Sequence, residues 1–333
     1  MLNLYETFCS LPVPKTTNER DRCFSATAPW GAVQLRVAKN QQGRPYFLTP
    51  STRGARQISI RLEHLSIEPH VECVIVDSDK VVERDSFTLV GCTSDDPGLQ
   101  SFFLRVIAAF AREYETASTA QDLNRGLELL VALFRALKQP GKKTVRGLWA
   151  ELFVILESSS PLALLEAWHV DPLDLFDFNQ GSDRIEVKSA SDRREHHFRR
   201  EQLIPPKDSR ITVASLIVKS AGGGASIADL VTRINSIPGI SGVMLEKLSR
   251  VVCETLGLDW RSAIDLRFDE NQARQSLQFF DGAEIPSIRE PPPPQISEVR
   301  FIVDFSSLLP IDPPSLAVPG LRGCLLYRAR RPT

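Results

Sequence analysis

From about Cys23 to Thr93, apolar positions recur for the most part at every second residue or in short runs. GAVQLRVAKNQQGRPYFL alternates on both sides of a glycine-bearing turn, RQISIRLEHL alternates again, and VECVIVDS and FTLVGCT are short apolar runs. The stretch from about Cys23 to Thr93 therefore predicts β-structure. From Leu99 to Leu137 the period lengthens, and LQSFFLRVIAAFAREYE and DLNRGLELLVALFRALK each carry one apolar stripe, as amphipathic helices do. Pro140 and Gly141 end that region. A third helix is expected over TVRGLWAELFVILES, which is apolar almost all round and hence buried.

Beyond it the period returns to two. FDF and RIEVK read as strands joined by an NQGSD turn, followed by the basic segment RREHHFRREQL and the apolar strand ITVASLIVK. SAGGGAS reads as a loop and IADLVTRINSI as a helix; the last third adds further helices, a linker at Pro291 to Pro294 and the alternating strand EVRFIVDF. There is no internal repeat.

Composition narrows the class. The chain has 333 residues, 42% hydrophobic and 24% charged, which is an ordinary globular composition with room for two or three substructures. Lys and Arg number 40 against 41 Asp and Glu, so no global basic field advertises nucleic acid and any polyanion site must be local. Cys9, Cys23, Cys73, Cys92, Cys253 and Cys324 are scattered without a CxxC pair, as reduced core thiols rather than a zinc or redox motif. The N-terminal MLNLYETFCSLPVPK has no signal-peptide pattern and no window reaches the apolar length of a membrane span, so a cytoplasmic location is expected.

The candidate chemistry lies between Phe176 and Ala190. Period two sends Phe176, Phe178, Ile185 and Val187 one way and Asp177, Glu186 and Lys188 the other. In an antiparallel hairpin Asp177 would lie opposite Glu186, with Cβ atoms roughly 4.5 to 5.5 Å apart, close enough for both carboxylates to bind one hard cation. Oxygen ligands of this kind suit Mg2+ or Mn2+, and Lys188 could orient or deprotonate an attacking water. The competing reading is a solvated hairpin face with an incidental cross-strand ion pair. Two neighbours bear on the choice. Glu151 sits among apolar helical neighbours, which is costly for a carboxylate without a partner, whether a cation or a salt bridge to Lys188 or an arginine. Arg193, Arg194, Arg199 and Arg200 surround His196 and His197, a pattern that phosphate contacts or an exposed charged loop would both explain.

Other chemistries fit less well. GKKT lacks the upstream glycine of a P-loop, and Gly222 to Gly224 has no GK[ST] after it, so both read as turns. There is no GxSxG. His196 and His197 are adjacent and on a strand would face opposite ways. Trp149, Trp168 and Trp260 read as core, Asp183 as a turn residue, and Asp174 as facing away from Asp177.

A helical glutamate, then an aspartate, then E-x-K on the next strand resembles the PD-(D/E)XK nuclease superfamily. The run GLWAEL, AWHVDPLDLFDF, IEVKSA and REQL is more closely similar to a bacterial group called "PD-(D/E)XK motif protein", found near restriction and phage-defence genes. The likeness runs from the helices near Leu99 to EVRFIVDF, with Phe176 standing where the motif's proline would be. It implies an α/β (α+β) restriction-endonuclease-like core with a mixed central sheet flanked by helices, plus an N-terminal β-rich and helical region. The expected division is 1–97 β-rich, 98–140 helical connector, 141–240 nuclease core and 241–333 C-terminal helices and strands packing on it. By the same likeness Asp177, Glu186 and Glu151 are metal ligands, Lys188 is the catalytic lysine, and Gln202 contacts DNA or the site. The implied activity is Mg2+-dependent DNA cleavage in a defence system, with a catalytically silent DNA- or partner-binding module as the alternative. Expected partners are DNA and a methyltransferase, ATPase or helicase-like protein, with a second subunit or homodimerisation supplying part of the DNA affinity.

Overall fold

The computed structural model describes residues 4–15, 21–28, 35–51, 59–77, 80–114, 120–137, 144–168, 175–204, 208–257 and 260–325. Pro140, Gly141 to Lys143 of the GKKT run, and Asp174 lie outside them. The fold is α+β, in two compact units: residues 1–139 with 241–249, and 140–240 with 250–333.

The first unit follows the early period-two pattern. After helix α1 (Leu4–Ser10) come β1 (Cys23–Thr27), β2 (Arg36–Asn40), β3 (Pro45–Pro50), β4 (Ile60–Arg61), β5 (Leu65–Asp77) and β6 (Lys80–Cys92), in one sheet of order β1-β2-β3-β6-β5-β4. Its alternating residues build a core of Phe24, Ala38, Leu48, Cys73, Ile75, Phe87 and Leu89. Helices α2 (Pro97–Tyr114) and α3 (Ala120–Ala136) complete the run.

The second unit holds the candidate chemistry. Helix α4 (Val145–Glu157) opens on Thr144, whose hydroxyl accepts from the Gly147 amide, and Leu148 through Ile155 are all buried, as an all-round apolar helix requires. Helix α5 (Pro161–Ala167) follows, then β7 (Phe178–Gln180) and β8 (Asp183–Ala190), paired antiparallel across the two-residue turn Gly181–Ser182. Gly181 has φ +55°, a conformation that glycine adopts freely. Next come β9 (Glu195–Arg199), a 3-10 turn over Arg200–Leu203, β10 (Arg210–Ile217), β11 (Ser220–Ser226), α6 (Ile227–Asn235), α7 (Gly242–Leu256), whose residues up to Ser249 count with the first unit, and α8 (Trp260–Ala263). Strand β12 (Arg267–Phe268), α9 (Glu270–Ser276), β13 (Gln278–Asp281) and β14 (Arg300–Asp304) follow.

The central sheet has order β13-β10-β8-β7, with β8 and β10 parallel and the other pairs antiparallel. Glu186 lies beside Val213 and Lys188 beside Ser215 in the β8–β10 register, and Val213 lies beside Phe280. Register neighbours share a sheet face, so these five side chains line one face. The antiparallel ribbon β9–β14 supplies Phe198 and Val303 to that face's apolar cluster, with Phe176, Leu203, Phe280 and Phe305. The E-x-K run is thus part of an interior strand.

Two readings of the sequence need correction. SAGGGAS is strand β11, paired with β12, rather than a loop. Glycine is what permits it: a Cβ at Gly224 would stand 2.0 Å from the Phe268 carbonyl oxygen, so the close approach of β12 outweighs the weak strand propensity of a GGG run. Asp183 is a buried residue opening β8 rather than a turn residue; its Oδ1 accepts from Arg210 Nε and Nη2 at 3.0 and 2.7 Å. All six cysteines are unpaired, and burial pushes the thiols of Cys73 and Cys92 up to about 12 and about 11. Among the described residues no helix is long and apolar enough to cross a membrane.

Candidate functional site

Glu186 is 5% exposed, and a carboxylate buried to that degree needs both a countercharge and hydrogen bonds. Both converge on its Oε1: Lys188 Nζ at 2.7 Å and Gln202 Nε2 at 2.7 Å. Lys188 Nζ also donates to Gln202 Oε1 at 3.3 Å and stands 4.8 Å from the centroid of the Phe198 ring. Gln202 closes the arrangement. Its Nε2 donates to the Leu175 carbonyl at 3.1 Å as well as to Glu186, and its Oε1 accepts from the Arg199 amide at 3.0 Å as well as from Lys188. A primary amide has two N–H donors and one oxygen with two lone pairs, so these bonds use its full capacity. Gln202 thus bonds to both charged members of the cluster, Glu186 and Lys188.

Asp177 joins from the segment just before β7. Its Oδ2 accepts from the Val187 amide at 2.8 Å, which sets this carboxylate against the peptide that links Glu186 to Val187. Glu151, 3% exposed on α4, accepts from the indole Nε1 of Trp168 at 2.7 Å. Among the described residues no group of three or more His, Cys, Asp or Glu could hold a metal ion, so Glu151, Asp177 and Glu186 do not form a three-carboxylate cluster. The donor chemistry of Asp177 and Glu186 still suits Mg2+, which typically takes one or two carboxylates and completes its shell with water and substrate phosphate oxygens.

The arginines divide. Arg193 is 83% exposed, 3.9 Å from Glu195, and Arg199 lies half-exposed 3.6 Å from Glu298. Arg200 donates to the carbonyls of Ile288 and Arg289 at 2.9 and 2.7 Å. Arg194 turns inward. Its Nη1 donates to the Ser215 carbonyl and Oγ at 3.1 and 2.8 Å and its Nη2 to the Ser276 carbonyl, and burial lowers its pKa. The guanidinium thereby ties β10 to the end of α9.

His196 and His197 do face opposite ways. His197 is exposed, whereas His196 is buried and its Nε2 shares a 2.7 Å hydrogen bond with Ser215 Oγ. Burial, and then the charges of Lys188, Arg194 and His197, hold the His196 pKa down to about 3. The unfolded chain, with an ordinary histidine near 6.5, binds a proton below that pH that the folded chain refuses. The contribution is therefore complete above pH about 6.5 and is lost as pH falls towards about 3, by roughly 1.4 kcal/mol per pH unit at most. Urea unfolding of wild type and His196→Gln should show stabilities that diverge between pH 7 and 4, with wild type losing more on acidification; parallel curves would contradict a buried neutral His196.

Reasoning from sequence passed over Phe198 and Ser215, and it read Trp168 as core, which its burial bears out, without its bond to Glu151. Alternation within EHHFR could have paired Phe198 with His196 on the inner face, but the arginines around it obscure the pattern. Nothing local marks Trp168 as the partner of a glutamate 17 residues earlier.

A mixed sheet carrying E-x-K on an interior strand, with an aspartate bonded to the following peptide, places the chain in the PD-(D/E)XK nuclease-like class. Over residues 4–306 it matches the family described as "Putative PD-(D/E)XK family member, (DUF4420)", and it belongs to that family. No curated protein and no solved structure matches it.

Proposed function

We propose that the chain is a Mg2+- or Mn2+-dependent endonuclease that hydrolyses DNA phosphodiester bonds as the nuclease component of a restriction or anti-phage system. The observation that carries this reading is the buried Glu186–Lys188–Gln202 cluster with Asp177 against the same stretch of β8. Asp177 and Glu186 would hold the cation. When bound, it supplies charge stabilisation to the phosphoryl oxygens. Lys188 Nζ, fixed between two oxygens, orients the attacking water and, as an ammonium, stabilises the negative charge that develops as the water's proton passes to solvent; Gln202 holds the lysine and Glu186 in register. Arg193 and Arg199, exposed beside β9, meet the DNA backbone, and a methyltransferase, ATPase or helicase-like partner, or a second copy, supplies further affinity.

Supercoiled plasmid incubated with the chain and its partner proteins should be nicked or linearised in Mg2+ or Mn2+, bound without turnover in Ca2+, and left intact in EDTA. Cleavage that persists in EDTA would overturn the metal assignment. A second reading, a silent nuclease-fold module that binds DNA or a partner, draws on the direct Glu186–Lys188 ion pair, which could serve as a structural pair; DNA binding without cleavage under every metal would favour it.

A further inference from the structure

Strand β9 turns its even-numbered residues, His196 and Phe198, into the fold, and Phe198 arrives against the one lysine of the cluster. We propose that Phe198 is a positioning residue for Lys188: its ring face holds the ammonium at the Glu186–Gln202 end of the pocket. The catalytic consequence rests on the nuclease reading above; the contact itself does not.

The geometry supports this in three ways. The Lys188 ammonium is 4.8 Å from the ring centroid and its side chain only 17% exposed. A cation over an aromatic face is attracted more strongly when water is largely excluded. The ring is also fixed: Phe198 is 1% exposed and stacks on Phe305 at 5.8 Å and 6°. Phe305 in turn meets His196 and Phe280 edge-on at 4.9 and 4.8 Å, and Phe301 stacks on Phe198 at 6.4 Å, so Phe198 cannot tilt without disturbing these four rings. Finally, the side chain beside Lys188 on β10 is already engaged. Ser215 Oγ accepts from Arg194 and shares a hydrogen bond with His196. A neutral hydroxyl bonded to those two groups does not compete with the Glu186 carboxylate for the ammonium. Two oxygens and one ring then define where Nζ sits, and a leucine at 198 would fill space but present no negative face.

Fluorinated phenylalanines at position 198 test the ring's electrostatics with little change of shape. With the chain and its partners in Mg2+, kcat should fall stepwise from phenylalanine through mono-, di- and trifluorophenylalanine, by roughly five- to tenfold in all, with KM for DNA unchanged. A role in packing alone predicts a flat series. Independently of activity, NMR of the chain labelled at lysine Cε should show an upfield-shifted ε-methylene signal that is absent in Lys188→Arg and returned to the normal range in Phe198→Leu; Lys39, 4.6 Å from the Phe8 ring centroid, gives a second that neither change moves. Lack of the Lys188 signal in wild type overturns the proposal. A flat fluorine series, with Lys188→Ala inactive, overturns the proposal and leaves the nuclease reading intact. Full cleavage by Lys188→Ala overturns the nuclease reading instead, and the NMR signal then decides the lysine–ring contact.

Discussion

Lys188→Ala should abolish DNA cleavage while leaving the fold and cation binding in place. Truncation removes the only ammonium in the cluster, and losing one preorganised group that stabilises developing charge typically costs roughly 10² to 10³ in rate. Gln202 still donates to Glu186 in the variant, so the carboxylate keeps a hydrogen bond although it loses its countercharge, and some loss of stability accompanies the loss of rate. Lys188→Arg should fail as well, because the planar fork of a guanidinium does not fit between the carboxylate and amide oxygens that hold a compact ammonium. Glu186→Ala differs in kind: it removes a proposed cation ligand and the anchor of both Lys188 and Gln202, so it should lose cation binding together with activity. The measurement is cleavage of plasmid and linear DNA with the partner system present, at equal folded concentrations checked by circular dichroism. Cleavage by Lys188→Ala at the wild-type rate would make this face structural and move the function to the silent-module reading.

What the sequence revealed and what it hid differ in range. The β7–β8 hairpin was legible because alternation and the NQGSD turn are local signals, and α4 because eight successive buried positions leave their mark on composition. Its glutamate stood out for the same reason. The partner of that glutamate was not legible, nor was the bonding of Gln202, whose amide reaches Leu175 and Glu186, 27 and 16 residues earlier. A glutamine in a basic run carries no local sign of such contacts. Arg194 shared the appearance of its exposed neighbours, yet its carbonyl partner at Ser276 lies 82 residues on. The GGG run misled in the opposite direction: local propensity favours a loop, and only the approach of Phe268 makes a strand the better solution.

Asp183 is where the largest stability effect is expected, and here too the partners are remote. Its Oδ1 takes two hydrogen bonds from Arg210, its register neighbour on the parallel strand β10, and its Oδ2 accepts from the Arg322 amide at 3.1 Å, 139 residues further on. One carboxylate therefore fastens the start of two central strands to the C-terminal 3-10 turn Leu321–Leu325. The fit is tight: Gly320 has φ +99°, and a Cβ there would stand 2.5 Å from Asp183 Oδ2. Asp183→Ala leaves a buried amide unsatisfied and a guanidinium unpaired. Breaking a fully buried pair costs about 3 to 5 kcal/mol, but Arg210 is 37% exposed and can recover water, so about 2 to 4 kcal/mol is expected. For a unit of this size that lowers the melting temperature by roughly 5 to 15 °C. Asp183→Asn should recover only part of the loss, since both neighbours donate and an amide offers one accepting oxygen. Arg210→Ala and the double variant complete a cycle: if the two losses add without coupling, or if Asp183→Ala melts within about 2 °C of wild type, the carboxylate is not the fastening described.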